Sequence, residues 1–435
     1  MTKPPRKRGL FFTEVFFMIR YGFACKTIGL PGAAQSSLAL ARASRDNLLA
    51  VSRNNLGALE AMLRYCRSQS LALMRISSDI IPLASHEAVH FDWQAELRLE
   101  LENLAALARQ SGVRLSMHPG QYTVLNSPRQ DVVRKAVADL AYHAAFLDAL
   151  QAGPECRIIL HLGGGYGDKA SALQRLRANL AALPDGILQR LALENDERIY
   201  TIEDVLAVCH DFELPAIFDI FHHELNPPLH GDLRYWLDRA GATWNARSGR
   251  QKIHYSQQLT DSKAGMHSLT IAMRPFMQMH SLLEERELDV MLEVKDKNLS
   301  AIKCANLTQP DLPRKNLTEE WARYKYLVLE RSPSAYSAIR QLLKSERPAA
   351  EAFYALLEEA LACDLEPGKA RNAAEHVWGY VSKKATPSES TRMLKDLELL
   401  GVDLAPLPRI KRKILALATS KGEEYLLHSL YFYLN

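Results

Sequence analysis

Eight histidines and carboxylates of this sequence stand out as candidate metal ligands. Five are histidines: His118 in SMHPGQY, His161 in HLGGG, His222 in FDIFHH, His254 in KIHYS and His267 in AGMHSL. Three are carboxylates: Glu194 in LALENDE, Asp219 in FDIFHH and Glu293 in LEVKDK. A single histidine at a strand end is usually an ordinary structural residue, but convergence of so many on one rim would leave charges that repel and lose hydration unless cations neutralise them. Imidazole and carboxylate without thiolate suit manganese, zinc or iron better than calcium or magnesium. The number of ligands favours a cluster of two or three ions, with Glu194 a natural bridge. Adjacent divalent cations can clamp the attacking and leaving oxygens of an in-line phosphoryl displacement, so phosphodiester hydrolysis is the reaction such a set serves. Lys252, two residues before His254, is the odd member. An ammonium among cations is repulsive, so it either turns aside to contact a phosphate or is carboxylated, with carbamate oxygens replacing a missing carboxylate.

These residues need a scaffold that brings them to one rim. From Met18 onward, short apolar β-prone runs alternate with longer stretches of helical periodicity, the pattern of parallel strands joined by crossover helices. The runs lie near 19 to 27, 71 to 77, 113 to 118, 157 to 162, 190 to 195, 215 to 220, 252 to 256 and 288 to 294, and helices are expected over 46 to 68, 94 to 111, 129 to 150, 169 to 182 and 201 to 212. Eight strand-then-helix units predict an α/β fold, a (β/α)8 TIM barrel. Functional residues of that fold belong at the C-terminal ends of the strands, which is where the expected ligands fall.

The remaining composition sets limits. At 435 residues and 47% hydrophobic, the chain has material for a large core and two domains. Lys+Arg 54 against Asp+Glu 50 gives a formal charge of only +4, so binding to a polyanion must rest on local arrangement. Six widely spaced cysteines without a CxxC pair indicate neither a disulfide framework nor a cysteine zinc site and fit a cytoplasmic protein. The start, MTKPPRKRGLFFTEVFF, imitates a signal peptide, but Glu14 interrupts its apolar run, and no segment approaches the ~20 apolar residues of a membrane span. Residues 1–17 read as a flexible extension, 18–304 as the barrel, 305–317 as a linker, and 318–435 as a smaller all-helical domain.

The motifs ISSDIIPLASHE, SMHPGQYTVLNSP, HLGGGYGDK, LALENDERIYT, FDIFHHELNP, KIHYSQ and LEVKDKN occur in order and at barrel spacing between Met18 and about residue 300. In these the chain resembles the UV damage endonuclease family, relatives of endonuclease IV. The resemblance implies a TIM-barrel enzyme with two or three Mn2+ ions, Mg2+, Zn2+ or Co2+ being substitutes. Such an enzyme cuts damaged double-stranded DNA immediately 5′ of cyclobutane pyrimidine dimers and (6-4) photoproducts, with abasic sites a further substrate, and leaves a 3′-hydroxyl and a 5′-phosphate. It implies metal ligands His118, His161, Glu194, Asp219, His222, His254, His267 and Glu293, with Lys252 at the position of a carboxylated lysine (N6-carboxylysine). Glu194, Asp219, Glu293 and Lys252 form the expected catalytic set. His118 and His161 with bridging Glu194 are assigned to one ion, and Glu194, Asp219, His254 and Glu293 to a second. His222, His267 and modified Lys252 are assigned to a third.

Gln121 and Tyr122 follow the His118-Pro119-Gly120 turn and are expected to enter the DNA as a probe, the ring replacing a lost stacking partner and the amide filling the gap. His86, in PLASHE, matches a family histidine near the DNA, a loop-capping role being the alternative. Phe23 and Thr27 stand where some relatives carry tyrosine and asparagine, and are expected at the same surface. The helical tail, through WARYKYLVLERSPSAY, EHVWGYVSKK and EYLLHSLYFYLN, resembles uncharacterised helical domains sometimes joined to DNA-repair proteins. The protein is expected to act as a monomer away from membranes. A barrel sugar isomerase would use similar ligands in a closed small-molecule pocket, and a damage-binding scaffold would hold its metals structurally.

Overall fold

Eight short parallel strands close a barrel in sequence order: β1 (Arg20–Ala24), β2 (Leu73–Ile76), β3 (Arg114–Met117), β4 (Arg157–His161), β5 (Leu191–Glu194), β6 (Ala216–Asp219), β7 (Lys252–Tyr255) and β8 (Asp289–Leu292), with β8 pairing β1. The structure is a computed structural model and describes residues 19–434, so the extension expected over 1–17 lies outside the described residues. Each expected run carries a strand, and the expected helices form at Arg45–Ser68, Gln130–Ala149, Lys169–Ala181 and Ile202–Phe212. The helix expected over 94 to 111 is divided into Trp93–Glu96 and Arg98–Ser111, because fully buried Leu97 leaves helical geometry between them.

Alternation along each strand sends every second side chain into the barrel. Arg20, Arg114 and Asp289 therefore meet at the base, where two guanidiniums share one carboxylate. Above them lie small apolar groups: Ala24, Leu73 and Met291 on one side, Ile159, Ala192 and Ile217 on the other. The residues at or just beyond the strand ends form the rim. Gly22 also faces inward, and a Cβ there would lie 2.3 Å from the Leu73 Cβ, so the close approach of β1 and β2 requires glycine.

The same alternation corrects one expectation. Phe23 shares the outward face of β1 with Tyr21 and is fully buried between the strands and the helices, so its ring cannot meet DNA.

Residues 305–317, where a linker is expected, hold the end of a barrel helix (Asn298–Thr308) and the first turn of the next helix (Arg314–Leu329). The main apolar core runs across this junction to Leu317, Trp321, Tyr324, Phe353, Tyr354 and Leu430. Polar bonds follow it: Asn306 Nδ2 donates to the Tyr354 hydroxyl at 2.9 Å, and Met273 N donates to Glu358 Oε1 at 2.8 Å. A second core, with Val377, Leu397, Ile410 and Ile414, holds the later helices Pro367–Trp378, Pro387–Leu400 and Leu407–Ser420.

Candidate metal centre and DNA-facing rim

Glu194 ends β5 beside His161, which ends β4 in register with it. Its two oxygens face different partners. Oε2 lies 3.1 Å from His118 Nε2 and 3.6 Å from His161 Nε2, while Oε1 lies 2.6 Å from His254 Nδ1. The rim thus brings together two sets that could each hold a metal ion, His118, His161 and Glu194, and Glu194, Asp219 and His254. Glu194 is common to both.

Several ligand atoms in these sets are buried without hydrogen-bond partners: His161 Nδ1, Asp219 Oδ2 and His254 Nε2. Orphaned buried acceptors are costly, and a divalent cation is the group that would satisfy the open Asp219 oxygen among its neighbours. The imidazoles continue the arrangement as a string, with ring centres 6.4 Å apart from His254 to His118, 5.1 Å from His118 to His161, 5.8 Å from His161 to His222 and 5.9 Å from His222 to His267.

Without a cation, the carboxylates and imidazoles compensate each other. Burial alone would raise the Glu194 carboxyl, but His254, His161 and His118 hold it well below its ordinary range. Burial alone would lower His254, but Glu194 and Glu293 push it up to about 10. His222 rises to about 9 against its own burial, chiefly through Asp219, whose Oδ2 is 3.8 Å from its Nδ1. Burial raises the Asp219 carboxyl. Such opposed shifts show buried carboxylates and imidazoles holding each other's charged forms, with Asp219 the carboxyl left least compensated.

The expected grouping is modified at two points. Glu293 stands 3.0 Å from His254 Nδ1 but is also tied by a short ion pair to Arg75, so it lies beside the second set, not within it. His222 and His267 are adjacent, but Lys252 does not join them. It is the first residue of β7, level with Asp289, and the charged groups around it are Arg114, Asp289 and Arg75. Lys252 is fully buried, its Nζ has no partner, and burial with the nearby Arg114 brings its ammonium down to about 7.

The residues expected on the DNA side occupy different settings. Gln121 and Tyr122 are exposed at the rim, Tyr122 at 68%, which is unusual for a large aromatic. His86 is half-buried in a cavity of about 270 Å³ that Tyr122 and Lys135 also line, and its Nδ1 accepts the Ala88 N–H at 3.2 Å. The structure thus gives His86 the loop-capping bond and leaves it next to Tyr122. Thr27 is half-buried, with an enclosed hydroxyl lacking a partner.

Two residues that contact the candidate ligands were missed in the sequence. Arg75, in the apolar run LALMRIS, points inward and clamps Glu293. Asn195 is buried behind Asp219: it accepts the Asp219 N–H at 2.9 Å, donates to the Asp219 carbonyl at 3.0 Å, and presents its own carbonyl to His222 Nδ1 at 3.0 Å. It ties down the Asp219 backbone and the His222 ring, as outer partners of metal ligands do. The signal for Arg75 was a charge within an apolar strand; for Asn195 it was adjacency to Glu194.

Residues 19–318 match the family model described as UV-endonuclease UvdE, a span containing every expected ligand. The chain belongs to the UvdE family. Among the relatives of this UvdE-family chain, the UV DNA damage endonuclease of Clostridium perfringens (strain 13 / Type A) is 38% identical over 320 residues, covering 72% of this chain and 77% of that protein. That of Bacillus velezensis is 34% identical over 296 residues, covering 66% and 92%. The crystal structure of SacUVDE superposes with a TM-score of 0.63 at 35% identity, covering 66% of this chain and 96% of that one. Family membership makes the chain an enzyme of the endonuclease class. Residues 325–434 match a second family model, described as a protein of unknown function (DUF1722).

Proposed function

We propose that this UvdE-family enzyme is a metal-dependent DNA-repair endonuclease that nicks damaged duplex immediately 5′ of UV photoproducts, giving a 3′-hydroxyl and a 5′-phosphate. The relatives are named as UV DNA damage endonucleases. The observation that carries the chemistry is the division of Glu194, one oxygen to His118 and His161 and the other to His254. Divalent ions, Mn2+ in this reading with Mg2+, Zn2+ or Co2+ as substitutes, would supply charge for an in-line displacement at phosphorus. His118, His161 and Glu194 would hold one ion, and Glu194, Asp219 and His254 another, with Glu293, His222 and His267 available at the edges. Asn195 keeps Asp219 and His222 in place, and Arg75 holds Glu293. Exposed Tyr122, with Gln121, would stack against bases at the lesion and fill the void left by an extruded pair.

Lys252 enters this reading as an N6-carboxylysine. A fully buried amine without a partner, brought to about 7, is substantially uncharged at neutral pH and open to addition of CO2, which forms the N–C bond and releases one proton. An intact-protein mass increased by one CO2, lost in Lys252→Arg, is the expected result. No helix among the described residues is long and apolar enough to cross a membrane; a cytoplasmic monomer is part of the proposal. The test is incubation of the Mn-loaded protein with a UV-irradiated duplex. A 3′-hydroxyl end on the 5′ side of the photoproduct that disappears with chelator is expected, and an intact duplex would overturn the reading. A parallel abasic duplex defines the lesion range.

A further inference from the structure

The loop after Glu293 holds a backbone conformation that suits glycine. Lys297 sits at φ 54° and ψ −112°, whereas the left-handed basin open to other residues has ψ of about +30° to +60°. Strain of this kind clusters at ligand clamps and active sites. The loop is fixed on both sides: Lys295 N donates to Ser268 O at 3.2 Å, Asp296 N to Leu269 O at 2.9 Å, and Ala301 N to Lys297 O at 3.3 Å. The first two bonds lock it to the segment carrying His267, and the third starts the helix Asn298–Thr308.

The strained residue also carries a charge that no carboxylate contacts. Among the described residues, the Lys297 ammonium forms no ion pair. Of the nearby cations, Arg75 is paired with Glu293 and Lys303 with Glu358, while Lys295, also without an ion pair, is exposed to solvent. Lys297 is half-buried, and its loop runs from Glu293 and is bonded to the two residues that follow His267, which puts it at the edge of the ligand cluster. A partly desolvated ammonium with no carboxylate of its own, four residues past a rim carboxylate, fits an anion brought by the substrate.

We infer that Lys297 anchors the substrate, its ammonium taking a non-bridging oxygen of a DNA backbone phosphate beside the Glu194 cluster, with the strained backbone holding the side chain there. The inference rests on the endonuclease reading. Three full-length variants test it. Lys297→Met removes the charge and keeps the strain, Lys297→Gly removes both, and Lys297→Arg keeps the charge.

Binding to a UV-irradiated duplex is measured in chelator across a salt series, so that this readout does not depend on metal. The slope of log Kobs against log[salt] becomes shallower by about 1 in the Met and Gly variants and is unchanged in the Arg variant. With Mn2+, KM for incision rises roughly 10-fold in the same two variants while kcat is largely kept, the signature of lost uniform binding. Lys297→Gly unfolds at the wild-type temperature or above, because relief of strain accompanies loss of the contact.

Wild-type salt slope and KM in Lys297→Met, with the wild-type enzyme cutting normally, overturn the inference and leave the endonuclease reading standing. If the wild-type chain cuts nothing while Lys297→Met still loses its salt slope, the endonuclease reading fails and the phosphate contact stands.

Discussion

The two ends of the barrel are both lined by inward-facing charges, and they are opposite in kind. At the base, Asp289 receives Arg20 Nε and an Arg114 guanidinium N–H, each at 2.7 Å, and the other Arg114 N–H groups go to the carbonyls of Glu155, Arg250 and Ser248. Asp289, Arg20 and Arg114 answer one another, while Lys252 Nζ, level with Asp289, has no partner. At the rim, Glu194 and Asp219 meet imidazoles, and Asp219 Oδ2, His161 Nδ1 and His254 Nε2 remain unanswered. A closed charge network holds strands in register; an open one waits for something to arrive. The distinction lies in the carboxylates, since both oxygens of Asp289 are bonded and Asp219 Oδ2 is not.

The strongest way to break the contrast is at Glu194, the residue both ligand sets share. Glu194→Gln keeps the volume and removes the shared charge, so kcat/KM for incision of UV-irradiated DNA should fall by on the order of 10³-fold or more, with metal content reduced and the fold retained. Near-wild-type incision would mean that the rim is not the catalytic centre. The matching change at the base is Asp289→Asn, which leaves Arg114 buried and Arg20 half-exposed without a full counter-charge. It should cost about 3–5 kcal/mol in urea unfolding while leaving metal content per folded chain unchanged.

Acid and alkali should separate the two ends in the metal-free protein. Burial would raise Asp289, but Arg20 and Arg114 hold it below its ordinary value. Its contribution is therefore present above the unfolded value of ~3.9 and is lost as pH falls through the lower folded value. His254 has the opposite sign. Glu194 and Glu293 raise it to about 10, so its contribution is complete below the unfolded value and is lost as pH rises through the folded one. Urea midpoints of the metal-free chain should decline between about pH 6.5 and pH 10, and His254→Gln should flatten that decline. An unchanged slope in the variant would remove His254 as its source.

The smallest expected effect is beyond the rim. Replacing Gln121 and Tyr122 by alanine should weaken binding to damaged duplex by ~1–3 kcal/mol per stacked base and spare metal content. Unaltered binding would return Tyr122 to the role of a surface ring.

The barrel was legible because its strands are short apolar runs at regular spacing, and the candidate ligands could be picked out because strand ends are where this fold concentrates chemistry. What escaped was side-chain direction. Phe23 and Arg75 both lie in apolar runs, yet one turns outward into the helix layer and the other inward to Glu293, and composition alone does not give that parity. Lys252 and His254 share a face but not a level, and a two-residue step along a strand separates the rim from the Arg114 and Asp289 layer. Asn195 escaped because its role depends on the Asp219 backbone, a strand away. The junction after the barrel read as a linker because proline, asparagine and lysine are loop-like in composition, although helices reach into it from both sides.

That junction bears on where such a gene can be divided. The two family matches end and begin at residues 318 and 325, the place where sequence alone would put a breakpoint. Leu317, Trp321 and Tyr324 are buried in the same apolar core as the barrel's own leucines, so a chain cut there would carry an uncovered oily face on each fragment. A truncation that preserves every ligand is still expected to yield aggregated barrels, and co-production of the two halves is the arrangement with a chance of restoring a soluble protein.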